Sequence, residues 1–180
     1  MKVDFINPFL QSTLSALVDL ASMAEVSAGK PCLKAGNQAL GSITSLIDMS
    51  GTPVYGSYAV TFSQPVIEEI CRRLFIEELS RGTHPTLLAS DFVGEFANIV
   101  CGRAKSTLSR RGFCFGLAIP RVVSGQNHRI QHAIQGPIIQ VPFLSPWGRF
   151  FVETSFCHAD HYYAPVKRNP SPPNAAPQVA

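Results

Sequence analysis

The sequence predicts an α+β domain in two layers, with about three helices packed on one face of an antiparallel sheet of about six strands. Apolar residues recur at helical spacing in three segments before residue 110, and a hairpin-like pair of extended runs lies between the first two. From residue 113 onward the pattern is extended, with short turns between runs, which favours antiparallel pairing. Apolar residues make up 46% of the 180 and charged residues 15%, enough for one core and incompatible with wholesale disorder.

The elements follow in order. Asn7-Pro8 predicts the start of the first helix, with Asn as N-cap and Pro at the first helical position, where its missing N–H costs nothing. Phe9, Leu10, Leu14, Leu17, Val18 and Ala21 then form one apolar stripe, and the helix is expected to stop near Met23. Residues 26–33 contain Gly29 and Pro31 and read as an irregular edge strand. Residues 42–49 and 55–62 flank the turn tetrapeptide Ser50-Gly51-Thr52-Pro53 and predict a hairpin.

Ser63 offers an N-cap for a second helix running to about Leu79, with Pro65 in its first turn and Glu68 and Glu69 complementing its positive end. Its buried face is Val66, Ile67, Ile70, Leu74 and Phe75. Arg81-Gly82-Thr83-His84-Pro85 breaks the chain before the longest helix, residues 86–109, which Arg110-Arg111-Gly112 closes. Extended segments follow at 113–119, around Val122, and at 126–135, 138–143 and 149–156, with Gly148 in the last turn. Residues 1–157 therefore read as one domain. Residues 158–180 read as a disordered tail, because five of the 14 prolines fall after residue 164 among few large apolar residues.

Composition also excludes function classes. No run approaches 18 apolar residues, so no spanning helix and no membrane insertion is expected. A net charge of +3 is too mild for a nucleic-acid footprint. Met1-Lys2-Val3-Asp4 opens no signal peptide, and the five cysteines (32, 71, 101, 114 and 157) contain no CxxC pair. A cytoplasmic location is expected, with the thiols as buried small hydrophobes.

The informative segment is Asp91-Phe92-Val93-Gly94-Glu95-Phe96-Ala97-Asn98. At 100° per residue, Asp91, Glu95 and Asn98 fall within about 60° on one helix edge. Phe92, Val93, Phe96 and Val100 take the core side. Read by itself, such an edge is the solvated face of an amphipathic helix. An unneutralised acid one turn from an amide also suits chemistry on a partner. The carboxylate can anchor a partner's cation, and the amide can both donate to and accept from a water. Gly94 costs about 1 kcal/mol against alanine inside a helix. It calls for a close backbone approach or a small-residue contact with the first helix.

The spacing Asp91-x3-Glu95-x2-Asn98 resembles the signature of the CheC/CheX/FliY family, phosphatases of the chemotaxis response regulator CheY. Further likeness lies in Ile6-Asn7-Pro8-Phe9, Gly29-Lys30-Pro31, Ile119-Pro120 followed by Val122-Val123-x-Gly125, His128, and Gly136-Pro137-x-Ile139. It spans about residues 4–157. The resemblance implies a CheC-like fold and a hydrolase acting on the aspartyl-phosphate of a CheY-like receiver. In that role Asn98 would orient the attacking water, and Glu95 would pair with a receiver lysine. Asp91 would be a supporting position, since relatives vary between acid and hydroxyl there. It implies no cofactor or metal of this chain's own, with Mg²⁺ on the partner receiver. No second Glu-x2-Asn occurs, so one site per chain is expected, as in the CheX branch, with a homodimer joined through sheet edges.

Alternatives use the same residues. A non-catalytic adaptor could bind a receiver or a flagellar motor component through the same edge, and a small-ligand module rests on fold reasoning alone. His158 and His161, at helical spacing, resemble a metal tract without further ligands in sequence. His128 and His132 read as surface polarity on one strand face, and Arg103, Lys105, Arg110 and Arg111 as complements to a helix C-terminus.

Overall fold

The structure, a computed structural model, describes residues 3–52, 54–134 and 136–158. The chain runs through α1 (Val3–Ala21), β1 (Ser27–Ala28), β2 (Cys32–Leu33) and a hairpin of β3 (Ile43–Thr52) and β4 (Val54–Phe62). Next come α2 (Gln64–Leu74), α3 (Ile76–Ser80) and α4 (Pro85–Ser109). The described chain closes with β5 (Cys114–Leu117), β6 (Arg121–Ser124), β7 (Ile139–Ser145) and β8 (Gly148–His158). The fold is the α+β layering that the sequence predicts, with eight described strands rather than six and four helices rather than three.

All strand pairs are antiparallel, in the order β1-β7-β8-β4-β3-β5. The outer strands are broken ones. β1 and β2 share the free side of β7, and β5 and β6 share the free side of β3. Pro31 and Pro120 fall in the two breaks; lacking an N–H, proline suits an edge and blunts it.

The first helix starts earlier than its proline suggests. Val3 opens α1, and Pro8 lies inside it, where one N–H toward the carbonyl of residue 4 is forgone. Burial explains the extension. The Phe5 ring meets Phe113 edge-on at 5.2 Å and Phe156 at 4.4 Å, an aromatic cluster drawn from three distant segments. The buried stripe also differs: Val18 is 45% exposed, while Ser12, Thr13 and Ala16 are buried.

Thr13 Oγ1 donates to the Phe9 carbonyl at 2.8 Å and lies 3.0 Å from the Tyr58 hydroxyl beneath the helix. Burial pushes the Tyr58 phenol up, so it stays a neutral donor. Thr13→Val strands that hydroxyl and is expected to cost about 1–3 kcal/mol. Adding Tyr58→Phe should recover most of the loss, as urea unfolding of the two variants would show.

The second predicted helix breaks at Phe75 into α2 and α3. Ser63 has cap geometry but no side-chain cap bond. Glu69 does not serve the helix end: hydrogen bonds from Arg72 and Arg73 hold its carboxyl at about 2. Arg73 also donates to the Ser22 carbonyl and lies 4.5 Å from the centre of the Trp147 ring, tying α2 to the end of α1.

Among the described residues of the stretch expected as a strand at 126–135, no strand forms beyond an isolated bridge between Gln38 and Arg129. The segment instead crosses the sheet face opposite the helices. There Ile130 joins Ala39, Leu46 and Ala59 in a small apolar cluster. Side chains hold it down, so ladder pairing is not needed. Cys71 and Cys101 are buried as expected, but Cys32 and Cys114 are exposed on edge strands. β8 extends through His158, the first residue of the stretch read as a tail; residues 159–180 lie outside the described residues.

Candidate functional site

α4 positions the signature. His84 caps it, its Nδ1 accepting from the Thr86 backbone N–H at 3.3 Å, with Pro85 in the first turn. Gly112, at φ +87°, lets the chain turn back so that the Phe113 N–H reaches the Leu108 carbonyl. The inner side buries Phe92, Val93, Phe96 and Val100, with Phe96 edge-on to Phe62 of the sheet at 5.6 Å. Those contacts fix the rotation of the helix and hence what its outer side presents.

Asp91, Glu95 and Asn98 are all exposed on that outer side, within about 60° of one another. Among the described residues none of the three side chains makes a hydrogen bond or an ion pair. β6 flanks the ridge on one side, where Val122 Cγ2 stands 3.5 Å from the place a Gly94 Cβ would occupy. Neither a backbone nor α1 approaches Gly94, contrary to expectation, and the Val122 contact is an ordinary one. α1 flanks the other side. Arg103 Nη1 donates to Asp19 Oδ2 at 2.7 Å and to Ser15 Oγ at 3.1 Å, so Arg103 ties two helices together rather than serving a helix end.

A cleft of about 340 Å³ opens beside the first turns of α4, lined by Gln64, Glu68, Cys71, Thr86, Ala89 and Ser124 among others. The three ridge residues lie outside it. Small-ligand sites are concave and enclose their ligand. Bare polar side chains on a convex helix edge suit a macromolecular partner that brings its own pocket.

A second polar constellation lies on the opposite face of the sheet and left no signal in the sequence. Glu153 is fully buried and accepts from Lys34 Nζ at 2.6 Å, Gln140 Nε2 at 3.0 Å and His132 Nε2 at 3.1 Å. His132 Nδ1 meets the Ser57 hydroxyl at 2.6 Å. Serine, imidazole and carboxylate stand in the sequence of a hydrolytic triad. Ser57 is fully buried, however, and Lys34 already neutralises the carboxylate. The group therefore binds loops to the sheet and meets no substrate.

His132 is thus buried and not surface polarity. His128 is half-buried, with one ring nitrogen 2.8 Å from the Gly125 carbonyl and the other 2.7 Å from the Thr44 hydroxyl. Among the described residues no group of three or more His, Cys, Asp or Glu is placed to hold a metal; His161 lies outside them. No described helix is long and apolar enough to cross a membrane.

The model of the family described as chemotaxis phosphatase CheX matches residues 43–144, from β3 through α4 into β7. The structure of a CheC-like superfamily protein from Shewanella sp. PV-4 is 41% identical with a TM-score of 0.75, covering 87% of this chain and 99% of that one. Chemotaxis protein CheX from Vibrio vulnificus is 39% identical with a TM-score of 0.76, covering 86% of this chain and all of that one. The CheX in a CheX–CheY–BeF3–Mg²⁺ complex from Borrelia burgdorferi shares the fold at 24% identity and a TM-score of 0.68, covering 86% and 99%. A search of curated protein sequences finds no match. The helices layered on an antiparallel sheet define a protein of the CheC-like class. Within that class, the chain belongs to the chemotaxis phosphatase CheX family.

Proposed function

We propose that this chain hydrolyses the aspartyl-phosphate of a CheY-like receiver domain, using Asn98 to orient the attacking water and Glu95 to pair with a receiver lysine. The observation that carries the reading is the pair itself, an acid and an amide exposed one turn apart on α4 and bonded to nothing among the described residues. Membership in a family of chemotaxis phosphatases supports it. So does the Borrelia complex, in which a chain of the same fold is captured with CheY.

In this reading the water oxygen bonds to phosphorus as the bond to the aspartate oxygen breaks, releasing phosphate and regenerating the carboxylate. Phosphoryl transfer of this kind needs positioning from the protein and little covalent chemistry. The amide oxygen accepts a hydrogen bond from the water and the NH₂ donates to the phosphoryl oxygens, neither needing a particular pKa, and the protons of the water leave with the phosphate. The Mg²⁺ that balances the phosphoryl charge belongs to the receiver. Asp91, one turn before Glu95, adds negative charge toward the same partner. A cytoplasmic setting and a homodimer joined along a sheet edge belong to the same reading.

The direct test follows phosphate release from a phosphorylated CheY receiver with and without the protein; decay at the receiver's own rate would reject the proposal. Glu95→Ala is expected to raise KM for the phosphorylated receiver about tenfold, the usual scale for losing one charged contact at an interface. Its kcat should fall less, and rising salt should narrow the gap to wild type.

A further inference from the structure

The ridge of α4 contains a residue that the fold does not explain. Gly102 lies four residues beyond Asn98, one turn along the same edge of the helix. It is not among the residues with positive φ, so the backbone gives no reason for glycine. Packing gives none either: a Cβ built at 102 meets no heavy atom within 4 Å. Glycine is the poorest helix former after proline. The position is therefore held at a cost that no contact among the described residues offsets.

What it leaves bare is specific. Helical side chains lean toward the N-terminus and cover the turn before their own Cα. A side chain at 102 would therefore lie over the turn that carries Asn98. The residue four places before Asn98 is also glycine, Gly94, where an added Cβ would meet, among the described residues, the Val122 methyl at 3.5 Å and nothing else within 4 Å. Both neighbours of Asn98 on its own row of every fourth residue are thus without side chains, which leaves Glu95, three residues before it, as the exposed side chain beside the amide. Beyond it the helix backbone is open for another backbone to approach closely.

We propose that Gly102 sets how deeply Asn98 can enter the receiver's phosphorylation pocket, by letting a receiver loop pack directly against the α4 backbone. The inference rests on the phosphatase reading above and assigns Gly102 a role in positioning, not in contact with the phosphoryl group. Its substrate is the folded receiver rather than a small phosphate ester, because only a bulky partner is hindered by a side chain one turn away.

The test is a series, Gly102→Ala and Gly102→Gln, in the full chain, with Asn98→Ala in parallel. Alanine is expected to raise the thermal midpoint by about 2–4 °C, with glutamine also above wild type. Activity should move the other way. kcat/KM for phosphorylated CheY is expected to fall about tenfold for alanine and about 100-fold for glutamine, on the scale of a 1 Å misplacement. Affinity for CheY held with BeF3⁻ and Mg²⁺ should weaken in the same order. Wild-type kcat/KM in Gly102→Gln, with Asn98→Ala inactive, would overturn the inference and leave the phosphatase reading standing. A thermal midpoint that falls together with activity would overturn it too, by assigning the glycine to the fold. Full activity in Asn98→Ala would remove the reading beneath it.

Discussion

Replacing Asn98 with alanine is expected to abolish the acceleration of receiver dephosphorylation, a loss of about 100-fold or more. The side chain is exposed and bonds to nothing among the described residues, and alanine is the better helix former, so the fold should be retained or slightly stabilised. Loss of activity with an unchanged or higher thermal midpoint separates chemistry from folding. Asn98→Asp keeps the shape but sets a carboxylate against the phosphoryl charge, and Asn98→Gln carries the amide one methylene too far. Both are expected to be nearly as inactive as alanine. Because an amide does not titrate, the wild-type rate should show no pH dependence arising from residue 98. Phosphate release at several pH values, with receiver alone as the baseline, checks each point.

The largest expected effect on stability lies on the other face of the sheet. Glu153→Gln leaves the Lys34 ammonium, 4% exposed at its side chain, without a counter-charge. Breaking a buried pair in this way costs about 3–5 kcal/mol, a large part of the roughly 5–15 kcal/mol that holds a domain together. Lys34→Met in the Glu153→Gln background should recover much of that, since the stranded charge goes with it.

The carboxyl also predicts a pH dependence. Burial by itself would raise its pKa, but the bonds from His132, Lys34 and Gln140 outweigh that and hold it below the usual value. In the unfolded chain a glutamate titrates near about 4.3. Its contribution is therefore complete above that pH and is lost as the pH falls through the lower folded value. Urea midpoints of wild type and Glu153→Gln should differ widely at pH 7 and converge in acid. A constant difference across the range would count against the pair.

Local signals read the helices and most strands well because their causes are local. The apolar stripe of α4, its stop at Gly112 and the pairing of two consecutive extended runs as β3 and β4 each depend on residues a few places apart, although Ser50, Gly51 and Thr52, expected in the turn, continue β3 and pair with β5. The misreadings share one physical source. Pro8 is an ordinary helix start until Phe5 finds Phe113 and Phe156, more than a hundred residues away. Residues 126–135 alternate like a strand, yet Ile130 and His132 are held by partners on β3, β4 and β8, so no ladder forms. His132 looks like any surface histidine until Ser57 and Glu153 close around it.

Local pattern is enough for the α+β class, the long helix, and the ridge of Asp91, Glu95 and Asn98, because helical periodicity puts those three side chains on one edge. Packing between distant segments turns this edge outward between β6 and α1, and leaves a Cβ at Gly102 with no contact among the described residues. The same packing gathers Lys34, Ser57, His132, Gln140 and Glu153 into one buried network. Which way a helix turns, and which distant polar groups satisfy one another, depends on contacts between segments that a period of 3.6 or 2 cannot register.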